Sequence, residues 1–199
     1  MGQTVSAFTA ALRDAAFCQA AEVGDSTAVK LLVAAGAAVD AAGPRSFTAL
    51  HYAALHGNSQ VVQLLLGANA SVDGAETPPT HPYRYDAGPT ALHMAVACHQ
   101  QAVVQFLAAA RADVNAPNAY GISPVRFAGA ETCRRDAKVL QALLAAPQLT
   151  PETMADAVRA ALEAGRADLA VLVLKAMVDS ERQAGSRSSA SAGTSVSGS

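Results

Sequence analysis

The sequence has few large side chains. Only 5% of its 199 residues are aromatic, Trp is absent, and Leu, Val, Ile and Phe together number 43. Such a chain is poorly suited to the single thick core that a β-sandwich or barrel encloses. Alanine, in contrast, occurs 48 times. Because small side chains let helices approach closely, the composition favours thin, stacked helical layers.

Charge is scarce as well, at 15% of residues, and 14 Lys and Arg face 16 Asp and Glu. A phosphate backbone requires a basic surface, so nucleic-acid binding is excluded as a function class. No uncharged apolar run reaches the roughly 18 residues of a membrane span. The N-terminus lacks the basic start of a secretory signal. We therefore expect a cytoplasmic protein.

Signatures of chemistry are missing too. Cys18, Cys98 and Cys133 are widely and irregularly spaced, which fits neither a disulfide framework nor a metal knuckle, so packing thiols are expected. The Cys98–His99 pair has no second Cys/His pair nearby, and adjacent helical residues point in different directions. The nucleophile-elbow, zinc-protease, dinucleotide and phosphate-loop motifs are absent. We expect no enzyme activity, metal or cofactor.

Self-similarity at a spacing of 33 residues organises the chain. Five units start at Ala15, Thr48, Thr90, Ser123 and Asp156, and positions are counted below from each start as position 0. Alanine recurs at position 5 in every unit, and positions 2, 16 and 17 are always apolar. These spacings predict two short amphipathic helices per unit.

The second and third units resemble the ankyrin repeat: residues 48–54 read TALHYAA, followed by Gly57 and apolar residues at 61–62 and 64–66, and residues 90–95 read TALHMA. The resemblance covers about residues 12–180 and is weakest in the fifth unit. It implies an all-α solenoid of helix pairs joined by hairpin-like loops, with the weaker terminal units as caps. It also implies a non-catalytic protein-interaction module that acts as an adaptor or scaffold.

Residues at the helix ends have physical roles in this frame. Hydroxyl groups at position 0 suit helix N-caps, and Pro124 suits a first turn. Glycine at position 9, namely Gly24, Gly57 and Gly165, suits a left-handed helix end. His99 and Thr132 replace it in two units, which predicts strain or a different turn there. The repeated placement of His51 and His93 three residues after a Thr predicts structural hydrogen bonding.

The connection at 74–89 is nine residues longer than the others and holds Tyr83, Arg84, Tyr85 and His81. Tyr and Arg are frequent interface anchors, and the prolines at 78, 79 and 82 limit the freedom of the segment. Two interpretations stay open. The segment is either a recognition loop for a protein partner or a surface insertion whose tyrosines fold back on neighbouring units.

The resemblance also implies that loop tips and exposed ends of first helices line a concave binding face. The residues concerned are Arg45, Phe47, Leu55, His56 and Tyr120. Each is a secondary candidate for partner binding, and the alternative is that it covers the helix beneath it.

The two termini carry further expectations. Residues 1–11 form an N-terminal segment in which Gly2 and Ser6 fit the N-myristoylation pattern, so weak, peripheral membrane association through one acyl chain is expected. Residues 181–199 are rich in Ser and Gly, which predicts a disordered tail. Arg182 and Arg187 lie near Ser186, Ser188 and Ser189, which are candidate sites for a basophilic kinase.

Two alternatives to an adaptor remain. Residues 115–121 resemble the inter-repeat turn of ankyrin-type kinase inhibitors, which favours a regulator of a protein kinase, although the long connection departs from that group. A metal-binding or enzymatic protein with an unrecognised site, using Cys98, His99 or His81, is the alternative from another class. We expect a monomer with a protein partner, and the sequence does not identify that partner.

Overall fold

The computed structural model describes residues 2–43, 47–74, 90–129 and 137–192. Within these ranges the chain forms ten helices and no strand. They are α1 (Gly2–Val23), α2 (Ser26–Ala34), α3 (Ala49–His56), α4 (Ser59–Gly67), α5 (Ala91–Ala97), α6 (Gln101–Ala109), α7 (Pro124–Gly129), α8 (Ala137–Leu144), α9 (Pro151–Glu163) and α10 (Ala167–Ala192).

The helices form two layers. Each odd-numbered helix contacts the next odd-numbered one, from α1 to α9, and each even-numbered helix likewise contacts the next, from α2 to α10. Each unit pairs one helix from each layer, as in α3 with α4. This arrangement confirms the predicted all-α solenoid of helix pairs, with one pair for each unit of the sequence frame.

Alanine at position 5 explains how the first helices approach one another. Ala53, Ala95, Ala128 and Ala161 have no exposed surface, and Ala20 is half-buried. The larger residues fill the space between the layers: Phe17, Leu50, Leu92, Leu107 and Leu140 are among the most deeply buried side chains. A thin, continuous core therefore runs along the array, as the scarcity of bulky residues predicts.

Hydrogen bonds at the starts of α3 and α5 confirm the structural role of the two histidines. His51 Nδ1 lies 2.8 Å from Thr48 Oγ1 and accepts from the Thr48 backbone N–H at 3.4 Å. His93 Nδ1 accepts from the Thr90 backbone N–H at 3.2 Å, and its Nε2 lies 2.9 Å from the Ile122 carbonyl oxygen. A neutral His93 with its proton on Nε2 satisfies both contacts, so it ties the third unit to the loop before the fourth.

The fourth unit starts as predicted and the fifth does not. Ser123 Oγ accepts from the Arg126 N–H at 3.2 Å, and α7 begins at Pro124. In the fifth unit Thr150 is the N-cap and Pro151 the first residue of α9, so Asp156 lies inside the helix. The Thr–Pro pair combines a capping hydroxyl with a preset φ, and it starts the helix before the repeat frame does.

Position 9 is left-handed wherever the structure describes it. Gly24, Gly57 and Gly165 have φ of +86°, +76° and +70°, and His99 has φ of +57°. His99 is thus strained, as its place in the frame predicts, because a Cβ disfavours this conformation. Thr132 lies outside the described residues.

Side chains at the ends of successive units form a hydrogen-bonded ladder. The Asp40 carboxylate accepts from the Ser71 N–H at 2.8 Å, and the Asp73 carboxylate accepts from the Asp113 N–H at 2.8 Å. One unit later the Asn115 amide donates to the Gln148 carbonyl at 2.7 Å. These bonds satisfy backbone groups that the turns would otherwise leave unpaired, so each turn is held by its neighbour.

Both termini differ from the expected segment boundaries. α1 begins at Gly2, so residues 2–11 are continuous with the first unit. α10 continues to Ala192, so the first part of the expected tail is helical, which fits its content of Ala, Glu, Gln and Arg and its lack of Pro. Across the part of the chain that the structure describes, no helix is both long enough and apolar enough to cross a membrane.

Candidate functional site

The turn before α7 presents Tyr120, whose side chain is 60% exposed. The Asn118 side-chain oxygen accepts from the N–H groups of Tyr120 and Ile122, both at 3.0 Å, and Gly121 follows with φ of +72°. The Asn118 N–H also donates to the Ile122 carbonyl at 3.0 Å. An aromatic ring is therefore displayed on a turn whose backbone is already ordered, which lowers the entropy lost on binding.

The C-terminal ends of α1 and α3, the first helices of the first two units, form a second exposed area. His56, the last residue of α3, is exposed, and its Nε2 lies 3.6 Å from the Glu22 carboxylate on α1. Beside Glu22, Val23 is 75% exposed. Leu55 is half-buried and packs against the core, so it contributes less surface. Positions 7 and 8 of the first unit thus carry a carboxylate and an exposed apolar side chain, and position 8 of the second unit carries an imidazole.

Val23 is a candidate that sequence reasoning missed. It occupies position 8 of the first unit, the same position as His56 in the second. The repeat frame therefore contained the signal, but an apolar residue at a helix end reads as core in the sequence. Only the packing shows that this position faces outward in both units.

Phe47 is buried, which matches the alternative that it covers the helix beneath it. Its side chain is 6% exposed, its ring stacks on His51 with centroids 5.7 Å apart, and it meets Tyr52 edge-on at 5.8 Å. Phe47 therefore covers the start of α3, and its ring contacts contribute to packing in the second unit.

Five predicted site residues lie outside the described residues. These are Arg45, His81, Tyr83, Arg84 and Tyr85. The structure places Tyr120 and His56 on different units, in a turn and at a helix end respectively. Among the partner-binding residues of the prediction, the structure therefore describes two that are exposed, Tyr120 and His56.

Cys98 and His99 lie at the C-terminal end of α5. Cys98 is half-buried, and burial raises the pKa of its thiol. His99 is exposed in its left-handed conformation directly after the end of α5. Within the described ranges, no three His, Cys, Asp or Glu side chains come together in a metal-binding arrangement.

An open cleft of about 490 Å³ lies at the turns after α6 and α8, lined by Arg111, Asp113, Pro147 and Gln148. Two of its polar side chains already have structural partners. The Asp113 carboxylate accepts from the Asn115 N–H at 2.9 Å, and the Gln148 amide donates to the Ala112 carbonyl at 2.8 Å. The Gln148 side chain therefore links the turn after α8 to the turn after α6.

Comparison with known protein families supports the predicted repeats. The family model for ankyrin repeats matches residues 17–118 in three copies, and these residues span the first three units. A search of curated proteins finds no match to the chain. The matched region covers about half of the sequence, and beyond it the helix pairs α7–α8 and α9–α10 and the left-handed Gly165 at position 9 continue the same pattern. The chain belongs to the ankyrin-repeat family, whose arrays form protein-interaction modules.

Proposed function

We propose that this chain is a non-catalytic adaptor or scaffold that binds a protein partner through its turn tips and the exposed ends of its first helices. The observation that carries the proposal is Tyr120, a ring exposed to 60% on a turn fixed by Asn118. Tyrosine supplies a large contact area at a small entropic cost, and a preordered backbone reduces that cost further.

The area around His56 supplies a second proposed contact. Glu22 and His56 supply a carboxylate and an imidazole at 3.6 Å, and Val23 adds exposed apolar surface. Interfaces combine such an apolar patch with a polar rim. The two areas belong to separate units, so a partner that contacts both spans several repeats, as extended solenoid surfaces allow.

The long connection at 74–89 is proposed as a further contact. Its support comes from the sequence, which places Tyr83, Arg84 and Tyr85 together in a proline-containing segment, with His81 nearby. Arg45 belongs to the same proposal as a cationic residue in the connection before α3. The competing interpretation, in which the tyrosines pack back on the array, predicts that their removal affects stability instead of binding.

Affinity capture from the native source tests the adaptor proposal. The bait proteins are the full chain, Tyr120→Ala, His56→Ala and the triple variant of Tyr83, Arg84 and Tyr85 to Ala. Gln105→Ala is the control because Gln105 is exposed on α6, outside the proposed face. We expect one specific partner to be retained by the control and weakened at least about tenfold by Tyr120→Ala, the effect of losing an interface anchor. A partner that every variant retains equally would contradict the proposed surface.

N-myristoylation of Gly2 is proposed for membrane tethering. The support is the Gly2-to-Ser6 pattern, and one acyl chain gives only reversible membrane binding. Intact-mass measurement of the chain expressed in a eukaryotic host tests it, with Gly2→Ala as the matched control. The expected result is a myristoyl mass increment on the wild type alone, and an unmodified wild type would refute this part of the proposal.

A further inference from the structure

Successive units contact one another through their first helices. At the junction of the fourth and fifth units, position 6 of one faces position 1 of the next: a Cβ added to Gly129 would lie 2.8 Å from the carbonyl oxygen of Ala157. The stacking of helices in this order determines which side of each unit contacts its neighbours. Each unit has a leading side, which meets the previous unit, and a trailing side, which meets the next.

The two ends of the array expose these sides. Position 6 is buried in the first four units, at Ala21, Ala54, Val96 and Gly129. In the fifth unit the same position is Leu162, which is 58% exposed. Position 1 is buried in the last four units, at Ala49, Ala91, Pro124 and Ala157, and exposed in the first, at Ala16.

The trailing face of the fifth unit is more apolar than a solenoid end requires. On α10, Leu174 and Val178 lie four residues apart on one helix side, and they are 48% and 47% exposed. Terminal units of solenoids normally present a polar outer face. We call Leu162, Leu174 and Val178 the C-terminal face.

The leading face of the first unit is apolar too. Phe8, Leu12 and Ala16 lie four residues apart on one side of α1, and Phe8 and Leu12 are 66% and 55% exposed. Leu31 on α2 is 66% exposed, whereas its counterparts in the later units are at least partly buried. We call Phe8, Leu12, Ala16 and Leu31 the N-terminal face.

We propose that the C-terminal face of one copy packs against the N-terminal face of a second copy, so that the solenoid continues from chain to chain. The occupant follows from continuity with the repeat interface, because within the array a trailing side is always covered by a leading side. Both faces are apolar and exposed, and contiguous exposed apolar surface of this kind marks interaction sites. This proposal replaces the expectation of a monomer.

The contact is heterologous, so it leaves one free face at each end of every dimer and allows longer chains. Its cross-section is that of one repeat, which places it in the class of small, weak interfaces. We therefore expect concentration-dependent self-association with a dissociation constant on the order of 10 to 100 μM.

Sedimentation velocity of the full chain over a concentration range of about 5 to 500 μM, which brackets such a constant, tests the proposal. The variants are Leu31→Lys on the N-terminal face and Leu162→Lys on the C-terminal face. Gln105→Lys is the control, since Gln105 is exposed on α6 in the third unit, outside both faces. The wild type and the control should sediment faster as concentration rises, and each face variant alone should remain monomeric.

Mixing the two face variants gives the sharpest result. Each retains the face that the other lacks, so an equimolar mixture should form a one-to-one dimer and no longer chain. Leu31→Gln and Leu162→Gln, with circular dichroism on every variant, separate loss of contact from charge effects and from loss of folding. A wild type whose sedimentation is independent of concentration overturns the proposal. Undiminished association of Leu31→Lys also overturns it, because it indicates a symmetric contact between two C-terminal faces.

Discussion

The junction of α1 and α2 gives a quantitative test of how the units are joined. Gly24 is left-handed, with φ of +86°, and the Asn58 amide of the next unit lies against it. Asn58 Nδ2 donates to the carbonyl oxygens of Ala21 and Glu22 at 2.8 and 2.9 Å, satisfying the end of α1. A Cβ on Gly24 would lie 2.8 Å from Asn58 Oδ1, so an alanine there displaces the amide.

Gly36 provides a matched control within the same unit. It is also left-handed, at φ of +77°, but a Cβ there meets nothing within 4 Å. Gly36→Ala should therefore cost only the left-handed strain of about 1–2 kcal/mol, less the gain of about 0.4–1 kcal/mol from a stiffer unfolded chain, or roughly 1 kcal/mol net. Gly24→Ala adds the loss of two hydrogen bonds at about 1 kcal/mol each, which gives roughly 3 kcal/mol.

A double-mutant cycle isolates the contact. Free energies of unfolding from urea titrations, followed by far-ultraviolet circular dichroism, are compared for Gly24→Ala, Asn58→Ala and the double variant. In the Asn58→Ala background the added Cβ has room, so Gly24→Ala should cost about 1 kcal/mol, as Gly36→Ala does. An equal cost of Gly24→Ala in both backgrounds would refute the reasoning that the glycine is required by the Asn58 amide.

Two further predictions concern histidines. His99→Gly should raise the free energy of unfolding by about 0.5–1 kcal/mol, because it relieves the strain of an exposed left-handed residue, and a urea titration showing no gain would contradict this. Burial lowers the pKa of His93 below 6.5, an effect larger than the opposing one of its hydrogen bond to the Ile122 carbonyl. The unfolded chain therefore binds the proton first, so stability present above pH 6.5 is lost as the pH falls, by at most about 1.4 kcal/mol per pH unit. Urea titrations at pH 7.5 and 5.5, about one unit to either side of the ordinary histidine pKa of 6.5, should show a smaller pH effect in His93→Gln than in the wild type. Equal effects would exclude His93 as the source.

Local chemistry at the caps explains why most of the fold was predictable. Thr48 and Thr90 each precede a histidine by three residues, and the same hydrogen-bonding arrangement forms in both places. The fifth unit departs because Thr150 and Pro151 form a stronger start signal than Asp156, and a repeat frame does not weigh one cap against another.

The candidate site was less predictable, since exposure depends on what packs above a residue. Phe47 and Tyr120 are both aromatic residues in loops before a first helix, and both are secondary candidates for partner binding in the sequence. Phe47 is covered because its ring stacks on His51, whereas Tyr120 lies on a turn closed by Asn118 and stays exposed. Val23 was missed because an apolar residue at a helix end is indistinguishable from core until the next unit is placed.

The sequence by itself determined the scaffold: a repeat of 33 residues, alanine where first helices approach, and hydroxyl caps at helix starts. These features act over one or two helical turns, so spacing and residue type suffice to predict them. Only the tertiary structure decided which side of each unit is covered. Leu162 occupies a position that is buried in every earlier unit, and it is exposed because no sixth unit of the described chain packs upon it. Burial is a property of neighbours, and a single unit's sequence does not contain them.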